Sequence, residues 1–112
     1  MAEWDGIVID DPLQVARVAF LYPQLPGMPL IELVEPLNSQ STVSGFLSKG
    51  GGLHHLCYEV DSLDDQLQRS TAEGHIVVRD PLPAVAFNQR RIAWVYTRQK
   101  LLIEYLESAK TA

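Results

Sequence analysis

Apolar residues in this chain fall in short, strand-sized runs rich in Val, Ile, Phe, Trp and Tyr, punctuated by Pro and Gly at 23–29 and at Pro81-Leu82-Pro83. Such runs between turn residues predict β-strands. The runs also repeat. Ile7-Val8-Ile9-Asp10-Asp11-Pro12-Leu13 is echoed by Ile76-Val77-Val78-Arg79-Asp80-Pro81-Leu82, and Arg17-Val18-Ala19-Phe20-Leu21-Tyr22 by Arg91-Ile92-Ala93-Trp94-Val95-Tyr96. Leu30-Ile31-Glu32-Leu33-Val34-Glu35 returns as Leu102-Ile103-Glu104-Tyr105-Leu106-Glu107. The order is kept and the spacing is nearly constant, so we read an internal duplication. The first copy predicts strands near 4–9, 16–22 and 29–35, and the second near 75–80, 90–97 and 101–107.

Between the copies, residues 39–49 predict a short helix with Val43, Phe46 and Leu47 on one face, closed by Gly50-Gly51-Gly52. Residues 53–60 form a further strand. Ser62 then caps a helix, with Asp65 in its first turn, Leu63 and Leu67 as its apolar stripe and Gly74 as its stop. The second copy therefore reads as strand, helix and three strands. The first shows the three strands alone.

The expectation is an α+β fold in one domain over 1–112: a first module of three strands at 1–37, a linker with a short helix at 38–52, and a complete βαβββ module at 53–108. A helix on one face of each sheet leaves the other face free to curve around a ligand. The edge that a preceding strand would cover in the first copy is left unpaired, which invites another chain, so a homodimer is expected.

Bulk properties narrow the function. At 112 residues and 46% hydrophobic, the chain can bury one domain-sized core. A net charge of −5 with scattered Lys and Arg argues against nucleic acid and anionic membrane as partners. No run is long enough to span a bilayer, and Met1-Ala2-Glu3 leads into no signal-peptide core. The lone Cys57 cannot form an internal disulfide, in keeping with a reducing compartment; the expected location is the cytoplasm.

Candidate chemistry sits on three side chains. The strand Leu53-His54-His55-Leu56-Cys57-Tyr58-Glu59-Val60 alternates between a mostly apolar face (His54, Leu56, Tyr58, Val60), suited to lie under the helix, and a face with ligand-type groups (Leu53, His55, Cys57, Glu59). Glu32 and Glu104 hold equivalent places in the two copies, each between apolar neighbours. A carboxylate inside an apolar strand is costly to bury unless paired or bound to a cation. His55, Glu32 and Glu104 thus form a three-donor set for a divalent metal. Simpler readings compete: a glutamate in an amphipathic strand is commonly solvated, and adjacent histidines are commonly incidental. Cys57 reads as a small core residue, His75 as a surface residue, and Gly50-Gly51-Gly52 as a turn, with no following Lys-Ser/Thr to make a phosphate loop. Arg90 and Arg91 flank a hairpin, with an anionic ligand as the alternative use.

Ile31-Glu32-Leu33-Val34-Glu35-Pro36-Leu37-Asn38, Ser41-Thr42-Val43, Phe46-Leu47, Gly52-Leu53-His54-His55-Leu56, Glu59-Val60-Asp61, Arg91-Ile92-Ala93 and Leu102-Ile103-Glu104 together resemble the methylmalonyl-CoA epimerases. More broadly they resemble the glyoxalase, bleomycin-resistance and dioxygenase group called the vicinal oxygen chelate superfamily. The resemblance implies paired βαβββ modules around one divalent ion (Co, Ni, Zn, Mn or Mg), with ligands on the first and last strands of each module. It carries over to His55, Glu104 and Glu32; the family's first-module histidine has no position in this sequence. An acid/base glutamate of the epimerase type would fall near Val18. The implied activity is a metal-dependent isomerase or lyase acting on a small carbonyl or acyl-thioester substrate through an enolate, with Glu32 or Glu104 as base. The alternative is a non-catalytic module that sequesters a small molecule, or a degenerate member acting as an oligomer.

Overall fold

The computed structural model describes residues 2–109 and divides after Gly52 into two compact units. In the first unit, β1 (Ala2–Trp4), β2 (Ile9–Asp11), β3 (Ala16–Pro23) and β4 (Ile31–Pro36) form one antiparallel sheet. The central β3 pairs with β4 along one edge and with β1 and β2 in succession along the other. The strand expected over 4–9 is broken in its middle. Asp5 Oδ1 accepts the Ile7 N–H at 2.9 Å, the Trp4 indole donates to the Ile7 carbonyl at 3.0 Å, and Gly6 takes φ +83°, a conformation open to glycine. Local side-chain bonds thus win over the ladder there.

Helix α1 (Val43–Ser48) follows, shorter than the expected 39–49. Asn38 is the reason: its side chain accepts the Gln40 N–H at 2.8 Å and its carbonyl accepts the Ser44 hydroxyl at 2.9 Å, which makes a turn of the preceding residues. Val43 is buried, whereas Leu47 is exposed.

The second unit runs β5 (Leu56–Val60), α2 (Leu63–Ala72), β6 (Ile76–Pro83), a 3-10 turn (Val85–Phe87), β7 (Arg91–Tyr96) and β8 (Leu102–Glu107). The sheet order is β5-β8-β7-β6, with β5 parallel to β8 and the other pairs antiparallel. This is a βαβββ arrangement, and the fold is α+β. Ser62 caps α2 by accepting the Asp65 N–H at 3.2 Å, and Gly74 ends it at φ +88°. The helix lies on β6, β7 and β8. Its buried Leu63 and Ser70 face the strand side carrying Ala93, Val95 and Ile103, all buried. Because α2 does not cover β5, Leu56 and Tyr58 are exposed, contrary to the expectation that their face lies under the helix.

The duplication holds at the level of strand register. In unit 1, Val18 pairs with Val34, Phe20 with Glu32 and Leu21 with Ile31. In unit 2, Ile92 pairs with Leu106, Trp94 with Glu104 and Val95 with Ile103. Each glutamate therefore stands opposite an aromatic on the middle strand of its sheet. The first sequence echo, however, is out of step with the structure. Ile9 pairs with Val18 as Leu82 pairs with Ile92, so Ile9 matches Leu82 and not Val78. Asp11-Pro12 closes β2, while Asp80-Pro81 lies inside β6 among its register shifts.

Candidate metal centre

In the second unit, β5 and β8 bring their donors together because they run parallel with Cys57 beside Glu104. His55, just ahead of β5, places Nε2 3.3 Å from Oε1 of Glu104. Glu104 is 3% exposed, and its Oε1 has no hydrogen-bond donor among the described residues. The 3.3 Å approach is thus a close polar contact that falls short of hydrogen-bond geometry. The surroundings are apolar on the same strand face: Ile92, Leu106 and Ala84 are buried, with Phe87 and Trp94 packed against them. A buried carboxylate oxygen lacking a donor is costly, and a bound cation is one way to satisfy it. The donor types fit: imidazole nitrogen and carboxylate oxygen are usual ligands of first-row divalent ions. His55 and Glu104 would supply two of the ligand atoms of such an ion.

The first histidine is placed differently from its sequence expectation. The alternation assumed for 53–60 starts only at Leu56, so His54 and His55 are not on opposite faces. Their Nδ1 atoms lie 2.8 Å apart, and both rings pack edge-on against Trp94, at 6.2 Å for His54 and 4.6 Å for His55. Burial, then the neighbouring His55, pushes the His54 imidazole below the usual histidine value, against an opposing pull from Glu104. The sequence reading did not place His54 and Trp94 beside His55; for Trp94 the available signal was the aromatic that each repeat sets opposite its glutamate.

In the first unit, Glu32 is half-buried on β4 opposite Phe20, on the strand face that also carries the buried Val18. Cys57 is exposed, not a core residue. His75 is more enclosed than expected and accepts the Arg98 N–H at 3.0 Å. Both candidate anion-binding arginines are engaged by the protein's own carboxylates: Arg90 with Glu59 at 3.4 Å, and Arg91 with Glu107 at 2.9 Å and Asp64 at 3.5 Å.

The chain is similar to several known proteins. A protein from Bacillus subtilis described as uncharacterized protein YqjC is 35% identical over 97 residues, which cover 84% of this chain and 66% of that protein. The ethylmalonyl-CoA/methylmalonyl-CoA epimerase of Cereibacter sphaeroides is 31% identical over 95 residues, covering 83% of this chain and 69% of the epimerase. The crystal structure of methylmalonyl-CoA epimerase from Mycobacterium tuberculosis superposes with a TM-score of 0.77 at 28% identity, covering 93% of this chain and 70% of that one. The chain thus spans about two thirds of the length of these relatives. Residues 2–94 match the model of the Glyoxalase/Bleomycin resistance protein/Dioxygenase superfamily, and the chain belongs to that superfamily.

Proposed function

We propose that this protein is a metal-dependent isomerase or lyase that moves a proton next to the carbonyl of a small carbonyl or acyl-thioester substrate. The observation that carries the reading is the buried Glu104 carboxylate, its Oε1 without a donor and 3.3 Å from His55 Nε2. Glu32 is assigned as the third ligand because it holds the same register position in its sheet as Glu104 does, opposite an aromatic. A divalent ion (Co, Ni, Zn, Mn or Mg) held by these residues would polarise a carbonyl oxygen and favour loss of the adjacent proton. Glu32 or Glu104 takes that proton, while Trp94, Ile92 and Leu106 keep water away from the reacting face. The acyl-thioester class is suggested by the epimerases among the relatives.

Val18 favours a second reading. Inverting a carbon centre needs two opposed proton carriers, and a buried valine supplies none. A metal-free module that holds a small molecule without chemistry tolerates that residue. Metal analysis of the purified protein, followed by calorimetric titration with Ni²⁺, Co²⁺ and Zn²⁺, separates the two. Micromolar binding that is lost in Glu104→Ala supports the enzyme; no binding by the wild type leaves the binding module.

We further assign the protein to the cytoplasm as a homodimer, without nucleic-acid or membrane partners. The acidic balance of −5 and the single cysteine support the location, and no described helix is long and apolar enough to cross a membrane.

A further inference from the structure

The two donors of the second unit are held by different means. Glu104 takes its place from the sheet: β8 lies between β5 and β7, with Cys57 beside Glu104 on one side and Trp94 on the other. His55 precedes β5 and stands outside that ladder, in a segment that follows Gly50, Gly51 and Gly52, all at positive φ. The strand pairing therefore fixes the carboxylate and leaves the imidazole to side-chain packing. An imidazole has three χ1 wells and about two ring orientations, roughly six states in all. Trp94 narrows that choice. Its ring packs edge-on against the His55 ring, with centroids 4.6 Å apart and planes at 76°, an arrangement that aromatic pairs favour. It also meets the His54 ring at 6.2 Å and 66°, so both histidines lean on one indole. The indole itself is well seated, since Trp94 lies within β7 and packs against the buried Ala84, Ile92 and Leu106.

We propose that Trp94 is a positioning residue for the metal centre: next to Glu104 in the sheet and against His55 in the preceding segment, it holds the imidazole beside the carboxylate before an ion arrives. This inference rests on the reading of His55 and Glu104 as ligands. Holding one of roughly six states in advance raises metal affinity by up to about sixfold. The effect belongs to the flat ring, so Trp94→Phe should keep most of it and Trp94→Leu should not.

The test uses the full chain. Calorimetry with Zn²⁺ is expected to find affinity about 3–6-fold lower in Trp94→Leu, and within about twofold of the wild type in Trp94→Phe. Val95→Ala controls for lost packing, because the buried Val95 lies on the α2 side of the same strand. It should melt lower than the wild type yet bind Zn²⁺ equally well. NMR of the metal-free wild type should show nuclear Overhauser contacts between the His55 ring protons and the Trp94 indole, and Zn²⁺ should leave them in place. Absence of those contacts overturns the assignment while leaving the metal site standing. So does wild-type Zn²⁺ affinity in Trp94→Leu, or an equal loss in Val95→Ala. A wild type that binds no Zn²⁺ removes the metal site itself, and the assignment of Trp94 falls with it.

Discussion

Arg91 grips Glu107 at two points, Nε to Oε1 at 3.1 Å and Nη2 to Oε2 at 2.9 Å, and the same carboxylate accepts the Leu63 N–H at 3.0 Å. One glutamate at the end of β8 thereby fastens the first turn of α2 to the sheet, satisfying a backbone donor that a helix start leaves open. Arg17 and Glu35 make the corresponding pair in the first unit at 3.2 Å, but both side chains are largely in solvent.

The two pairs should therefore respond differently. Glu107→Ala is expected to destabilise the protein by about 1–2 kcal/mol, the usual cost of losing a helix N-terminal partner. Glu35→Ala removes a solvent-screened pair and should change stability by less than about 0.5 kcal/mol. Chemical denaturation of both variants checks this. Equal losses would mean that the Leu63 contact adds nothing to the ion pair.

Glu104 should oppose stability in the metal-free protein. Its Oε1 is buried without a donor, and an unsatisfied buried polar group costs about 1–3 kcal/mol. Glu104→Gln removes the charge at nearly constant shape, so the metal-free variant is expected to melt above the metal-free wild type. Adding Ni²⁺ should reverse the order, because only the wild type gains binding energy: about 2.7 kcal/mol at a hundredfold excess over Kd. Melting curves with and without chelator read both effects.

Two glycines predict opposite signs. Gly74 stands at φ +88°, and a Cβ there would meet Cδ of Arg98 at 3.1 Å. The arginine chain can move, so the strained backbone decides, and Gly74→Ala should cost about 1–2 kcal/mol. Gly45, inside α1, has ordinary φ and open space where a Cβ would sit. Gly45→Ala should instead stabilise by about 0.5–1 kcal/mol, the difference in helix propensity. Thermal melts of the two variants provide the comparison.

Legibility followed the range of the interactions. Ser62 and Gly74 announced both ends of α2, because capping is decided within a few residues. The repeat placed Glu32 and Glu104 correctly relative to their sheets, because two copies of one pattern carry more information than either alone. Sequence alternation failed at His54 and His55, where the strand had not yet begun, and at Leu56 and Tyr58, where the path of α2 decides burial. The Asp11 and Asp80 echo misled for a related reason. Asp11 is 2% exposed and closes a turn by accepting the Leu13 and Gln14 N–H groups, whereas Asp80 lies inside β6, so like letters serve unlike geometry.

For the proposed dimer, β4 is the surface to test. Leu21 and Ile31 in the first unit match Val95 and Ile103 in the second by register, and Leu33 matches Tyr105. In the second unit that side lies toward α2, and Val95 and Ile103 are 0% and 5% exposed. In the first unit Ile31 and Leu33 are 46% and 53% exposed. Apolar residues repeated along β4, beside a strand edge with no further partner among the described residues, suit contact with a second copy. Leu33→Lys should lower the apparent mass in sedimentation velocity from dimer toward monomer. Because the side chain is exposed in the single chain, the melting of a dilute sample should change little. A wild type that sediments as a monomer at high concentration, or a Leu33→Lys variant that stays fully dimeric, would remove β4 as the pairing surface.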